Sequence, residues 1–136
     1  MLEIAVNRYR QVVASTSTPG ELLLALYAGL FRYLRVSRKL LDEKRRSQAT
    51  PLLSKAHAIV CELDMALDHD VWPELCQNLA GIYGFCQDRL IHAIRHGSPE
   101  AIDDVIRVLT PLQEAWQIAV PQATREQGMR DAARAR

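Results

Sequence analysis

Apolar residues recur at helical spacing along most of this chain, in four stretches separated by short polar or proline-bearing connections. The longest is Thr18 to Leu41, TPGELLLALYAGLFRYLRVSRKLL. At roughly 100° per residue, Leu22, Tyr33, Leu26, Leu30, Leu23, Leu34, Tyr27, Phe31 and Leu24 follow one another around its axis and span about 200°. That is about twice the stripe a surface helix buries. One face serves a core, and the rest needs a second partner from this protein or from another chain. Thr18 as N-cap, Pro19 at the first helical position and Glu21 closing an S/T-x-x-E box mark the start. Arg35, Arg38, Lys39, Lys44, Arg45 and Arg46 are expected in the last turns, where cations suit the negative end of the helix dipole. They read more simply as a solvated helix end than as an anion or nucleic-acid patch.

Thr50-Pro51 repeats the start signal for a second helix, whose narrow stripe is Leu52, Ala56, Ile59, Val60, Leu63, Ala66 and Leu67. Asp68-His69-Asp70 connects it to a third, beginning near Val71 to Glu74 with Pro73 in its first turn. Leu75, Leu79, Ile82, Cys86, Leu90 and Ala93 form its core face, flanked by Tyr83 and Phe85. Gly81 and Gly84 each cost a helix about 1 kcal/mol relative to alanine, which implies close approach of another helix or of a bound segment. Gly97 ends this helix and Ser98-Pro99-Glu100 starts the fourth, with Ile102, Val105, Ile106, Leu109, Leu112, Trp116 and Ala119 on its apolar face. Pro111 is expected to kink or split it, and Pro121 to end it.

The fold class expected is all-α: an antiparallel four-helix bundle over residues 18–121, with a flexible N-terminal arm (1–17) that docks through Tyr9, Val12 and Val13. Residues 122–136, polar and alternately charged, read as a disordered tail. With 136 residues, 49% apolar and 24% charged, the chain suits one ordinary globular domain and not a disordered one. Its formal net charge of +1 argues against nucleic-acid binding by bulk attraction. Cys61, Cys76 and Cys86 lack CxxC spacing and read as buried free thiols in a reducing cytoplasm. No signal peptide or membrane-spanning run is evident, so a cytoplasmic protein is expected.

Chemistry is sparse. His92 and His96, with Asp88 a turn earlier, have a spacing that can hold a metal, but no third strong ligand accompanies them. His57 and Cys61 sit at i, i+4, and a phosphotransfer bundle would carry one exposed histidine; Ala58-Ile59-Val60 is not the lysine and small residues such a site has. No phosphate loop, nucleophile elbow or di-iron carboxylate motif is present. The pattern is that of a binding protein without enzymatic activity or cofactor, with a signalling bundle or a structural homodimer as the alternatives.

Four segments, in order, resemble one family. VASTSTPGELLLALYAGL is similar to the N-terminal signature of the flagellar export chaperone FliS family, approximately V-x-T-A-S-P-x-x-L-(I/L)-x-M-L-Y-D-G, through Thr16, Pro19, Leu22, Leu26, Tyr27 and Gly29. KAHAIVCELDMALD, NLAGIYGFCQDRLIHA and VIRVLTPLQEAW resemble its later motifs. Ala28 departs from the usual Asp, His69 to Pro73 from a Gly-Gly-Glu-like linker, and Thr110-Pro111 from a continuous last helix. The resemblance implies a chaperone that binds the disordered C-terminal segment of flagellin, keeps it from polymerising and delivers it to the flagellar type III export apparatus. It also implies that the arm covers apolar surface until a client displaces it. The client-binding residues so implied are Tyr9, Val12, Leu24, Tyr27, Phe31, Leu34, Asn78, Leu79 and Tyr83.

Overall fold

The structure is a computed structural model that describes residues 18–135. They form four helices and no strand: α1 (Pro19–Asp42), α2 (Arg46–Met65), α3 (Pro73–His96) and α4 (Pro99–Arg134). The expected arm, with Tyr9 and Val12, lies outside the described residues.

The start of α1 is the box expected. Thr18 Oγ1 accepts the Glu21 N–H at 3.2 Å, and the Glu21 carboxylate accepts the Thr18 N–H at 3.4 Å. Its end lies earlier than the basic run implies. Lys44 adopts φ +61°, the Lys44 N–H reaches Leu41 O at 3.1 Å, and the Arg45 N–H reaches Leu40 O at 2.8 Å. This is a Schellman closure with lysine where glycine usually stands. Arg46 therefore opens α2, and the start expected at Thr50-Pro51 is corrected to four residues before Thr50. Pro51 sits inside α2 on its exposed side, so the Ser47 carbonyl that loses a partner faces water.

Gly97, at φ +61°, closes α3, and Ser98 Oγ accepts the Ala101 N–H at 3.3 Å to open α4. One expectation for α4 is corrected: the helix does not end at Pro121. Of the kink or split expected at Pro111, the split is absent, and α4 is one element of 36 residues. The carbonyls deprived of a partner belong to Arg107 and Gln117, both exposed, so solvent replaces each lost bond. Residues 122–134 are helical and exposed, not a disordered tail. Alanine, arginine, glutamine and glutamate favour that state, and Gln127 Nε2 donates to Asp131 Oδ1 at 2.9 Å one turn on.

α1 packs on α2 and α4, and α3 packs on the same two, while α1–α3 and α2–α4 stand diagonally opposed. Cross-contacts fix the directions. Arg38, late in α1, bonds Asp103, early in α4; Gly20, at the start of α1, adjoins Val120; Arg46 reaches the last carbonyls of α3; Arg89 pairs with Asp104. All adjacent helices are therefore antiparallel, as short connections require. Beyond Val120, α4 continues for about 21 Å at 1.5 Å per residue.

The core settles what covers the wide apolar arc of α1. Leu26, Tyr27, Leu30, Phe31 and Leu34 are buried, and Leu22, Tyr33 and Leu24 at the two margins are half-buried. Flanking helices on both sides, with α3 across the centre, bury roughly 140° of the arc. Cations cover much of the margins: the Arg35 guanidinium lies 5.3 Å from the Phe31 ring centroid, and Arg32 and Lys55 lie over Tyr33. The second partner is mainly this chain itself.

Candidate functional site

Five residues expected at a client groove, Tyr27, Phe31, Leu34, Leu79 and Tyr83, lie in the core and present almost no surface. Leu24 is half-buried and Asn78 exposed. The structure does bring Tyr27 and Tyr83 together. Their hydroxyls meet at 2.6 Å across the bundle diagonal, each satisfying the other in an otherwise apolar centre. The buried indole N–H of Trp116 has no well-formed hydrogen bond, yet stands close enough to Tyr27 Oη to favour its ionised form. Burial dominates and raises the Tyr27 pKa despite the Tyr83 and Trp116 contacts. Burial, with Tyr27 beside it, raises Tyr83 further, and burial pushes the Cys86 thiol up to about 12. All three groups are protonated at neutral pH. They form a structural cluster and supply no nucleophile.

The outer face of α3 is different. Gly81 lies on a stripe with Asn78, Phe85, Asp88 and His92, with Gly84 at its edge. A Cβ built on Gly81 or Gly84 meets no atom within 4 Å. No helix among the described residues approaches either glycine, so of the two explanations the described chain offers nothing for the first. Phe85 and Ile91 stand exposed beside them.

The titratable candidates do not assemble. No group of three His, Cys, Asp or Glu able to hold a metal occurs among the described residues. The His92 and His96 rings contact each other, centroids 4.5 Å apart, on the exposed side of α3. The half-buried His57 has Nδ1 3.7 Å from Cys61 Sγ. Burial, then Asp64 and Glu62, raises the Cys61 thiol, which keeps it in its unreactive form. The three cysteines are free, and Cys76 and Cys86 are buried.

The basic run is largely engaged internally. Arg38 bonds Asp42 and Asp103, Arg45 bonds Glu43 and Gln48, and Arg46 donates to the Ile94 and Arg95 carbonyls at the end of α3. At the other end, an open cleft separates Thr18, Pro19 and Gly20 from Val120, Ala123, Thr124 and Gln127 on α4. No helix among the described residues is long and apolar enough to cross a membrane.

Residues 2–123 match the family model described as flagellar protein FliS. The flagellar secretion chaperone FliS of Bacillus subtilis (strain 168) is 28% identical over 112 residues, covering 82% of this chain and 83% of that protein. The FliS of Campylobacter jejuni is 28% identical over 114 residues (84% and 89%), and that of Salmonella typhimurium 27% over 124 residues (88% and 92%). A crystal structure of a bacterial flagellar chaperone superposes with a TM-score of 0.71 at 24% identity, covering 88% of this chain and 98% of the other, which supports the fold.

Proposed function

This chain belongs to the FliS family of flagellar secretion chaperones, which are not enzymes, and on that footing we propose that it binds the disordered C-terminal segment of flagellin in the cytoplasm. Binding holds that segment away from self-assembly and carries it to the flagellar export apparatus. The observation that carries the reading is the open glycine pair on α3. Two helix-interior glycines cost about 1 kcal/mol each, and nothing in the described chain uses the space they leave. A client helix laid along α3 would use it: its backbone approaches closely over Gly81 and Gly84 while its apolar side chains reach Phe85 and Ile91. The ordering entropy of the client is met at that moment, as in other coupled folding and binding. Asn78 borders this face. Tyr27, Phe31, Leu34, Leu79 and Tyr83 then act beneath the surface, as the rigid support.

Calorimetry with a peptide spanning the flagellin C-terminal segment tests the reading. Wild-type protein is expected to bind it at about one to one. Gly81→Ala and Gly84→Ala are each expected to raise the melting temperature, because helix propensity improves with no clash. Both are expected to weaken the peptide by about tenfold, roughly 1.4 kcal/mol. Unchanged affinity in both variants would place the client elsewhere, and no association with wild type would sink the assignment.

A further inference from the structure

The formal net charge of +1 conceals a polar molecule. From Ala56 to Asp88 the chain carries Glu62, Asp64, Asp68, Asp70, Glu74 and Asp88 with no lysine or arginine. Asp64, Asp68, Asp70 and Glu74 surround the α2–α3 connection, and none of them is in an ion pair among the described residues. The ion pairs Arg38–Asp42, Arg38–Asp103, Arg45–Glu43, Arg89–Asp104 and Arg107–Asp104 all lie toward the opposite end of the bundle. Positive charge there is largely used internally, while negative charge here faces solvent.

At the same end stand Met65, the last residue of α2, and Val71 and Trp72 in the connection, which are 72%, 78% and 62% exposed. Three large apolar side chains in eight residues, left to water and rimmed by charge, have the make-up of an interaction site. The backbone presenting them is fixed. The Val71 N–H bonds Asp68 O and the Asp70 N–H bonds Asp68 Oδ1, both at 3.1 Å; Cys76 Sγ donates to Asp68 O, and Leu67 packs on the core. Trp72 is the N-cap residue of α3, and its carbonyl accepts the Cys76 N–H at 3.0 Å. Little ordering entropy therefore remains to be lost when Trp72 is covered.

We propose that this tip docks a partner protein through a basic amphipathic segment, whose apolar side chains cover Trp72, Val71 and Met65 and whose lysines or arginines meet the four carboxylates. Charge complementarity selects the partner. An acidic segment would bring like charges together, whereas a basic one gains the attraction and is steered toward the tip from a distance. The surface is independent of the glycine face, and the inference does not rest on the flagellin reading.

The test uses the full chain and two labelled helical peptides of about five turns, one of lysine and leucine and one of glutamate and leucine, in fluorescence anisotropy. The lysine peptide is expected to bind and the glutamate peptide not. Raising salt from about 0.1 M to about 1 M, which shortens the screening length from about 10 to 3 Å, is expected to weaken binding at least about tenfold. Trp72→Ala and the pair Asp68→Asn with Asp70→Asn are each expected to cost about tenfold. Circular dichroism confirms that these exposed changes leave the bundle intact, and hydrogen exchange should show protection over residues 65–76. Equal binding of the two peptides, no binding of the lysine peptide, or undiminished binding by Trp72→Ala would overturn the proposal. So would self-association abolished by Trp72→Ala, because the occupant would then be a second copy. Loss of flagellin-peptide binding in Trp72→Ala would assign the tip to the client instead.

Discussion

The buried tyrosine pair gives the sharpest test of the packing. Tyr27 Oη and Tyr83 Oη are 2.6 Å apart and almost wholly excluded from water. Replacing one by phenylalanine removes a hydrogen bond and strands the other hydroxyl, at a cost of about 1–3 kcal/mol. Replacing both removes donor and acceptor together and is expected to stay within about 1 kcal/mol of wild type. With a urea slope of about 2 kcal/mol per molar, a loss of about 2 kcal/mol moves the midpoint by about 1 M. Urea unfolding of the four proteins at fixed pH completes the cycle, with an expected coupling of at least about 1 kcal/mol. Additive single effects would refute the arrangement.

Three further outcomes are expected. Lys44→Gly should stabilise by about 1 kcal/mol, because φ +61° at the Schellman position strains lysine and suits glycine; urea midpoints check it. Gly97→Ala should destabilise by about 1–2 kcal/mol, since the same φ is combined with a Cβ only 2.9 Å from Arg46 Cδ, and calorimetric melting reads it. In alkali, the unfolded chain releases the Cys86 proton near pH 9.0, the folded chain only near 12, and both tyrosines are shifted the same way above 10.0. Stability is thus full below about pH 9 and falls as pH rises, by about 1.4 kcal/mol per unit per group. Cys86→Ala should flatten the first part of that decline in reducing buffer.

Much of this molecule is written in local signals. The Thr18–Glu21 box, Gly97 and Ser98 each satisfy backbone groups that no neighbour could supply, so their meaning survives without tertiary context. Lys44 carries no such mark, because lysine seldom takes the left-handed conformation it adopts here. Pro111 and Pro121 read as breaks because an interior proline costs about 3 kcal/mol, yet in α4 the carbonyls they orphan face water. The same limit governs the site. Periodicity shows that Tyr27, Phe31, Leu34, Leu79 and Tyr83 are on apolar faces, but core and groove share that pattern until the flanking helices are known. Gly81 and Gly84 were visible as anomalies, and no helix among the described residues accounts for them. The acidic stretch was also legible, as six carboxylates from Glu62 to Asp88 with no lysine or arginine among them, but only the exposure of Trp72 shows that four of them frame a surface.

The central claim is that the open glycine face of α3 receives a flagellin segment. Its most direct measurement is the heat of mixing between the full chain and a flagellin C-terminal peptide, compared with Gly81→Ala and Gly84→Ala proteins. Saturable binding at about one to one, weakened about tenfold by either alanine while thermal stability rises, is the expected result. Binding that is absent, or identical in all three proteins, would contradict it.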